Sequence, residues 1–335
     1  MYILGLESSC DETSAAVVEM AEGGRRILSN IVASQIDVHR LYGGVVPEIA
    51  SRAHIEAVSK ITREALEVAG LKLSDIGAVG VTAFPGLIGA LLVGVNFGKS
   101  LAYANNIPLV AVNHVHGHVS AALLENPELE PPFLALVVSG GHTSIYNVRS
   151  YTDYEEIGGT RDDAAGESFD KVGRVIGLPY PGGAALDKLA YEGDPKAVAL
   201  PSPALAGDNL DFSFSGLKTA ALNYINSAEQ RGEEINRADL AASYTAAVTN
   251  AVSKKVAKAL EMTGAKHLVM AGGVAANSHL RREVGKVCER KKVGFTCPSL
   301  SLCGDNAAMI ATAAYYEFLR GNFADTSLNA SACEP

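Results

Sequence analysis

Apolar and polar positions follow the same plan in two separate stretches of the chain. Residues 2–8 are apolar and extended, followed by Ser9-Cys10-Asp11-Glu12 and a second apolar run from Ala15 to Val18. This pattern predicts strand, polar turn, strand. Residues 133–138, F-L-A-L-V-V, then Ser139-Gly140-Gly141-His142 and the run Ile145 to Val148 repeat it. At an offset of 130, Leu4 falls on Leu134, Leu6 on Leu136 and Thr13-Ser14 on Thr143-Ser144. Such a repeat predicts two related lobes.

Helical and strand-like patterns alternate after each hairpin. Residues 47–68 read as a helix opened by Pro47 and followed by Gly70, with Ile49, Ala53, Val58, Ile61 and Ala65 near helical spacing. Residues 76–83 and 108–112 read as buried strands with a Gly/Ala-rich helix between them. In the second half, 266–271 and 293–297 read as strands, and 236–263, 275–287 and 305–320 as helices. The alternation predicts an α/β architecture with mostly parallel sheets. The segment 126–132, N-P-E-L-E-P-P, has linker chemistry. A boundary there gives an N-terminal lobe of residues 1–130 and a C-terminal lobe of 131–335. The polar tail after Gly321 is expected to fray.

Composition narrows the picture modestly. A chain of 335 residues exceeds the usual size of one domain, and 48% apolar with 19% charged residues is ordinary for a globular protein. The net charge of −9 argues against non-specific coating of nucleic acid, yet leaves room for a local patch. The run 281–292, R-R-E-V-G-K-V-C-E-R-K-K, is such a candidate and ends in Lys291 and Lys292; a solvated helix face is the alternative. Five scattered cysteines without a C-x-x-C pair suit reduced thiols. The N-terminus runs directly into Tyr2-Ile3-Leu4-Gly5-Leu6 without signal-peptide chemistry, and the apolar stretch 86–98 is too short to span a bilayer. A cytoplasmic location without membrane contact is expected.

Three elements point to a nucleotide. The two hairpin turns can present backbone amides to phosphate oxygens, and Ser139-Gly140-Gly141 is the better of them. Met270-Ala271-Gly272-Gly273-Val274-Ala275-Ala276-Asn277 is a strand ending in small residues, against which an adenine or ribose can lie, with Asn277 able to hydrogen-bond it. Each element alone also suits a tight turn. Neither G-x-x-x-x-G-K-[ST] nor G-x-G-x-x-G occurs. The spacing of two hairpins and a late adenosine loop resembles the superfamily of actin, Hsp70 and sugar kinases (ASKHA).

Residues 114–118 are H-V-H-G-H. On a helix His114 and His118 face the same way, as two imidazoles chelating one divalent ion would, or as part of a polar face. His116 points elsewhere. A metalloprotease helix would carry Glu after the first histidine; here Val115 removes that base. A third ligand has to come from elsewhere. Asp305 in Cys303-Gly304-Asp305-Asn306 is one acid among several, and an N-cap is its other reading. Two histidines and a carboxylate suit Fe(II) and could also hold Zn or Mn.

The motifs together resemble one family. They are E-S-S-C-D-E-T at 7–13, G-G-V-V-P-E at 43–48, N-H-V-H-G-H at 113–118 and V-S-G-G-H-T at 138–143. D-F-S-F-S-G-L-K at 211–218, A-G-G-V-A-A-N at 271–277 and G-D-N at 304–306 complete the set. Over residues 1–320 the chain resembles the TsaD family of tRNA N6-adenosine threonylcarbamoyltransferases. The resemblance implies an ASKHA fold with two duplicated ribonuclease H-like lobes and the ligand in the cleft between them. It implies transfer of threonylcarbamoyl from L-threonylcarbamoyl-AMP to N6 of adenosine 37 in tRNAs reading ANN codons, with AMP released. Its metal ligands fall on His114, His118 and Asp305, with Fe(II) the usual metal. Its substrate-binding positions fall on Val137, Val138, Ser139, Gly140, Gly141, Asp170, Gly183, Asp187 and Asn277. Asp11, ahead of Glu12, is the candidate catalytic acid or base. Implied partners are tRNA with TsaB and TsaE in a bacterial complex, or KEOPS in an archaeal or eukaryotic one. A non-catalytic scaffold or a sugar or acetate kinase are the competing readings; the intact ligand set weighs against the scaffold.

Overall fold

The computed structural model describes residues 1–21, 24–202 and 209–334. In chain order its elements are β1 (Tyr2–Glu7), β2 (Glu12–Ala21), β3 (Gly24–Ser34), α1 (Ile36–Arg40), α2 (Pro47–Ala69), β4 (Ile76–Phe84), α3 (Ile88–Asn105), β5 (Leu109–Asn113), α4 (His114–Glu125), β6 (Phe133–Val138), β7 (Thr143–Ser150) and β8 (Asp153–Gly159). There follow α5 (Ala165–Val175), α6 (Gly182–Leu189), α7 (Ser215–Gln230), α8 (Arg237–Thr263), β9 (His267–Ala271), α9 (Ser278–Lys291), β10 (Gly294–Thr296), α10 (Leu300–Cys303) and α11 (Ala307–Leu319). They form two compact units. The first gathers Met1–Pro131, Ser150–Asp153 and the segment from Pro298; the second gathers Pro132–Arg149 and Tyr154–Cys297.

Among the described residues each unit is built on one five-stranded sheet, and the two sheets share a plan. The first runs β3-β2-β1-β4-β5 and the second β8-β7-β6-β9-β10. In both, a hairpin pairs antiparallel (β1 with β2, β6 with β7) and two later strands add parallel to the hairpin's first strand. The expected repeat of strand, turn and strand is thus a repeat of topology. β1, β4 and β6 are almost wholly buried, as continuous apolar runs in covered parallel strands require.

Local chemistry explains the helices that flank the first sheet. α2 starts at Pro47, whose missing N–H costs nothing there, and ends at Gly70 with φ 69°. Its buried His54, Val58, Ile61 and Ala65 recur at helical spacing and face the core. The glycines of α3 have a packing role. A Cβ on Gly98 would sit 2.2 Å from Val81 Cγ1 and one on Gly94 would sit 2.3 Å from Ser8 Oγ, so the helix lies unusually close to β1 and β4. α11 packs on β1 and β4 in the same unit.

One expectation and one alternative reading fail. The tail after Gly321 does not fray: Ala324 N donates to Leu109 O (2.8 Å), Ser331 N donates to Ala83 O (2.9 Å), and Leu328 and Ala330 pack on the core. The last helix is not capped by Asp305; Asn306 holds that position and accepts from Met309 N at 3.1 Å. Among the described residues no helix is long and apolar enough to cross a membrane.

Candidate functional site

In the first unit, β5 ends at Asn113, whose side-chain oxygen accepts from Val115 N (2.8 Å) and His116 N (3.4 Å) and so starts α4. His114 is therefore the first residue of the helix and His118 lies one turn on, the two rings 4.6 Å apart. Asp305, between α10 and α11, places Oδ1 3.7 Å from His114 Nε2 and 3.2 Å from His118 Nε2. One donor atom from each of the three residues lies within 4.8 Å of the others. Among the described residues neither ring nitrogen of buried His118 has a hydrogen-bond partner of good geometry, although Nε2 stands 3.2 Å from the Asp305 carboxylate, an expensive state that a bound cation would relieve at one of them.

Behind His114 stands a buried carboxylate. Glu7 Oε2 lies 3.0 Å from His114 Nδ1 and accepts from Thr82 Oγ1 at 2.7 Å, while Oε1 accepts from Ser9 N at 2.5 Å. Ser9 Oγ is also 3.1 Å from Nδ1. Burial disfavours charge on both groups, but the Glu7 and Asp305 carboxylates outweigh it and push His114 up to about 9. Against the opposite pull of burial, the adjoining imidazole holds Glu7 below the usual range. A carboxylate on Nδ1 directs Nε2 toward the metal, the arrangement common behind ligating histidines.

The turn between β1 and β2 adds further acids. Asp11 is buried at 8% exposure and hydrogen-bonds the side chains of Cys10 and Glu12. Burial, then the Asp305 and Asp11 charges, raise Glu12 to about 9. Burial and the same acids push the Cys10 thiol up. Carboxyls crowded in this way favour a cation among them. His54 anchors the turn from α2, its Nδ1 2.7 Å from Thr13 Oγ1 and its Nε2 3.0 Å from Cys10 O.

In the second unit, Ser139 N donates to His142 O (2.8 Å) and His142 N donates to Ser139 Oγ (3.1 Å), closing the β6–β7 turn. A Cβ on Gly140 or Gly141 would meet nothing within 4 Å, so open space lies over the turn. Gly272, at φ 94°, is required: a Cβ there would sit 2.4 Å from Val138 O. Val137 and Val138 are fully buried in β6, main chain included, as the strand that leads into the turn. Asp170 on α5 accepts from Gly183 N at 2.8 Å. Asp187 on α6 accepts from Ser278 N (3.1 Å) and Ser278 Oγ (2.9 Å), and Asn277 Oδ1 caps α9 through Leu280 N at 2.8 Å.

The family model for TsaD, tRNA N6-adenosine threonylcarbamoyltransferase, matches residues 26–312. A protein of that name from Clostridium perfringens (strain SM101 / Type A) is 54% identical over 98% of this chain and 96% of its own length. Another from Clostridium botulinum (strain 657 / Type Ba4) is 52% identical over the same shares. The chain belongs to the TsaD family. It is accordingly a transferase of tRNA modification. Among solved structures, component A of Acidaminococcus fermentans (R)-2-hydroxyglutaryl-CoA dehydratase aligns at TM-score 0.57 and 16% identity over 96% of this chain and 98% of that one. HypF from T. kodakarensis aligns at 0.64 and 14% identity over 98% and 49%. Those likenesses place the TsaD-family chain in the ASKHA-type fold.

The structure brings His114, His118 and Asp305 together in one unit and gathers Ser139–Gly141, Asp170, Gly183, Asp187 and Asn277 in the other. His116 stands outside the metal group, its Nε2 4.0 Å from Glu334. Sequence reasoning passed over Glu7; a charged residue closing an otherwise apolar strand was the available signal. Within the basic run, Arg282 and Lys286 both pair with Glu283 (3.2 and 2.9 Å), and Lys291 pairs with Glu261 at 2.5 Å.

Proposed function

We propose that this TsaD-family chain transfers threonylcarbamoyl from L-threonylcarbamoyl-AMP to N6 of adenosine 37 in tRNAs reading ANN codons, releasing AMP in the cytoplasm, with TsaB- and TsaE-type partners. The observation that carries the reading is the His114, His118 and Asp305 group with Glu7 behind it, in a chain without the protease Glu. These three residues would hold one divalent ion, Fe(II) or alternatively Zn, through two nitrogens and one oxygen. When bound, the ion supplies positive charge that favours a polarised carbonyl or a departing phosphate.

The chain's own residues do the rest. Open space over Gly140 and Gly141 suits a phosphate approaching the main chain, whose amides stabilise charge as AMP leaves. Asp187 takes up the ribose hydroxyls while also holding the start of α9, where it accepts from Ser278 N, Ser278 Oγ and His279 N. The oxygen of Asn277 is committed to its cap, so its amide NH2 meets the nucleoside. Val137 and Val138 hold the turn in place from β6, and Asp170 fixes Gly183. The adenine amine is a weak nucleophile that sheds a proton on attack, and Asp11 receives it, a role worth roughly 10²–10⁴-fold.

The test incubates metal-loaded protein and its partners with the adenylate and unmodified tRNA, scored by nucleoside mass spectrometry. Modified adenosine together with AMP is expected; phosphorylation of a small acceptor from ATP instead would overturn the reading. Asp11→Ala should keep AMP binding and lose single-turnover transfer.

A further inference from the structure

The run R-D-D at 161–163 and the motif D-F-S-F-S-G-L-K at 211–218 take no part in the chemistry above, yet they are bound residue against residue. Arg161 Nε donates to Asp211 Oδ2 at 2.8 Å. Asp162 accepts four hydrogen bonds from one short segment: Ser213 Oγ (2.5 Å), Ser215 Oγ (2.6 Å), Phe214 N (2.8 Å) and Ser215 N (3.2 Å). Asp163 pairs with Lys218 at 2.5 Å on α7 and with Lys171 at 3.1 Å on α5. Despite the opposing pull of burial, the two serine hydroxyls and two amides hold Asp162 below the usual carboxylate range.

A few residues downstream, the same segment grips the β6–β7 turn. Ala165 N donates to Thr143 Oγ1 (2.9 Å), Gly166 N to Ser139 O (3.2 Å) and Glu167 N to Gly140 O (3.2 Å). A Cβ on Gly166 would sit 2.5 Å from Ser139 O, so the first turn of α5 lies directly on the loop. Exposed ion pairs alone contribute little to stability. Here, however, the entry of α5 is fixed by Asp162 and Asp163, and the turn's carbonyls follow α5.

We propose that Asp162 and Asp163 are positioning residues for the adenylate, setting the Ser139–Gly141 turn through the first turn of α5. The proposal rests on the reading that this turn receives the adenylate phosphate.

The test measures calorimetric AMP binding, metal stoichiometry and steady-state kinetics on the metal-loaded full chain. Asp162→Ala should weaken AMP about tenfold, since small misplacement of a binding group is costly. It should raise KM for the adenylate with kcat kept, and leave metal binding unchanged. Asp162→Asn keeps an oxygen for the Phe214 and Ser215 amides and should restore most of the affinity. Unchanged AMP affinity in Asp162→Ala, or equal loss of AMP and metal, overturns the proposal. Should Asp162→Ala not fold, Lys218→Met, which frees one side of Asp163, is read the same way. Gly140→Val separates the two ideas. Wild-type AMP affinity in that variant overturns the site reading itself, whereas its loss beside an unaffected Asp162→Ala overturns only the positioning role.

Discussion

Replacing Glu7 by Gln tests whether the buried carboxylate prepares His114 for a metal. Glu7 is 1% exposed and bonded to Ser9 N, Thr82 Oγ1 and His114 Nδ1. A glutamine must keep its oxygen toward Ser9 N, because an N–H can only donate. Its NH2 then faces Thr82 Oγ1 and His114 Nδ1. The threonine hydroxyl can rotate and accept, but Nδ1 can accept only by surrendering its proton to Nε2, the atom turned toward Asp305. Ser9 Oγ, 3.1 Å away, is an alternative acceptor for an Nδ1 proton, which tempers the loss. The expected cost is that of losing an outer partner of a ligating histidine, about 10–100-fold in affinity or roughly 1.4–2.7 kcal/mol. Competition of a chromophoric chelator for Zn(II) at pH 7.5 measures it, and ¹⁵N-resolved imidazole spectra of the metal-free variant report the tautomer. Affinity within a factor of two of the parent, with the variant folded, would refute the reasoning.

Further outcomes follow from the same structure. Gly5→Ala would place a Cβ 2.2 Å from Ala307 O, so α11 must move off β1; a loss of about 2–3 kcal/mol in urea unfolding is expected, and a neutral result would contradict that packing. Burial holds His54 below 6.5 in the fold, so below that pH the unfolded chain binds more protons. Stability is then intact above pH 6.5 and falls with acidity through the folded value, by at most about 1.4 kcal/mol per pH unit; His54→Gln should show the shallower slope, and identical slopes would exclude His54 as the source. Asn306→Ala removes the cap of α11, costing about 1 kcal/mol, and invites Asp305 to replace it. Zn(II) affinity should therefore fall as well, and affinity that stays constant while Tm drops would show that Asp305 is held independently of the cap.

Much of the fold was legible because its central strands and long helices carry simple periodicities. β1, β4, β6 and β9 are apolar runs, and α2 and α8 have their starts and stops written at Pro47 and Gly70, and at Asn236 and Gly264. Two outer strands, β3 and β8, were not legible, whereas β5 and β10 at the other edges were. β3 is half-buried along most of its length, with its few exposed and buried positions out of alternation, so neither face gives a clean period of two. The fate of the tail was hidden for another reason: it is held largely by backbone atoms, such as Ala324 N on Leu109 O, and side-chain polarity says nothing of those.

The site divides along the same line. His114 and His118 share one helix, so their joint facing follows from spacing alone. Asp305 lies far along the chain, and no local pattern distinguishes a helix cap from a carboxylate turned toward other side chains. What separates them is one neighbouring atom: Asn306 Oδ1 takes the Met309 amide, and the Asp305 carboxylate is left to face the two imidazoles. Glu7 is the mirror case, a charge that looks misplaced at the end of an apolar strand until its three partners are counted. A buried carboxylate with three donors around it stays ionised, and an ionised Glu7 is what keeps a proton on Nδ1 of His114 and directs Nε2 toward Asp305. The candidate metal group is thus specified less by its three proposed ligands than by the two residues, Glu7 and Asn306, that decide which atoms those three can offer.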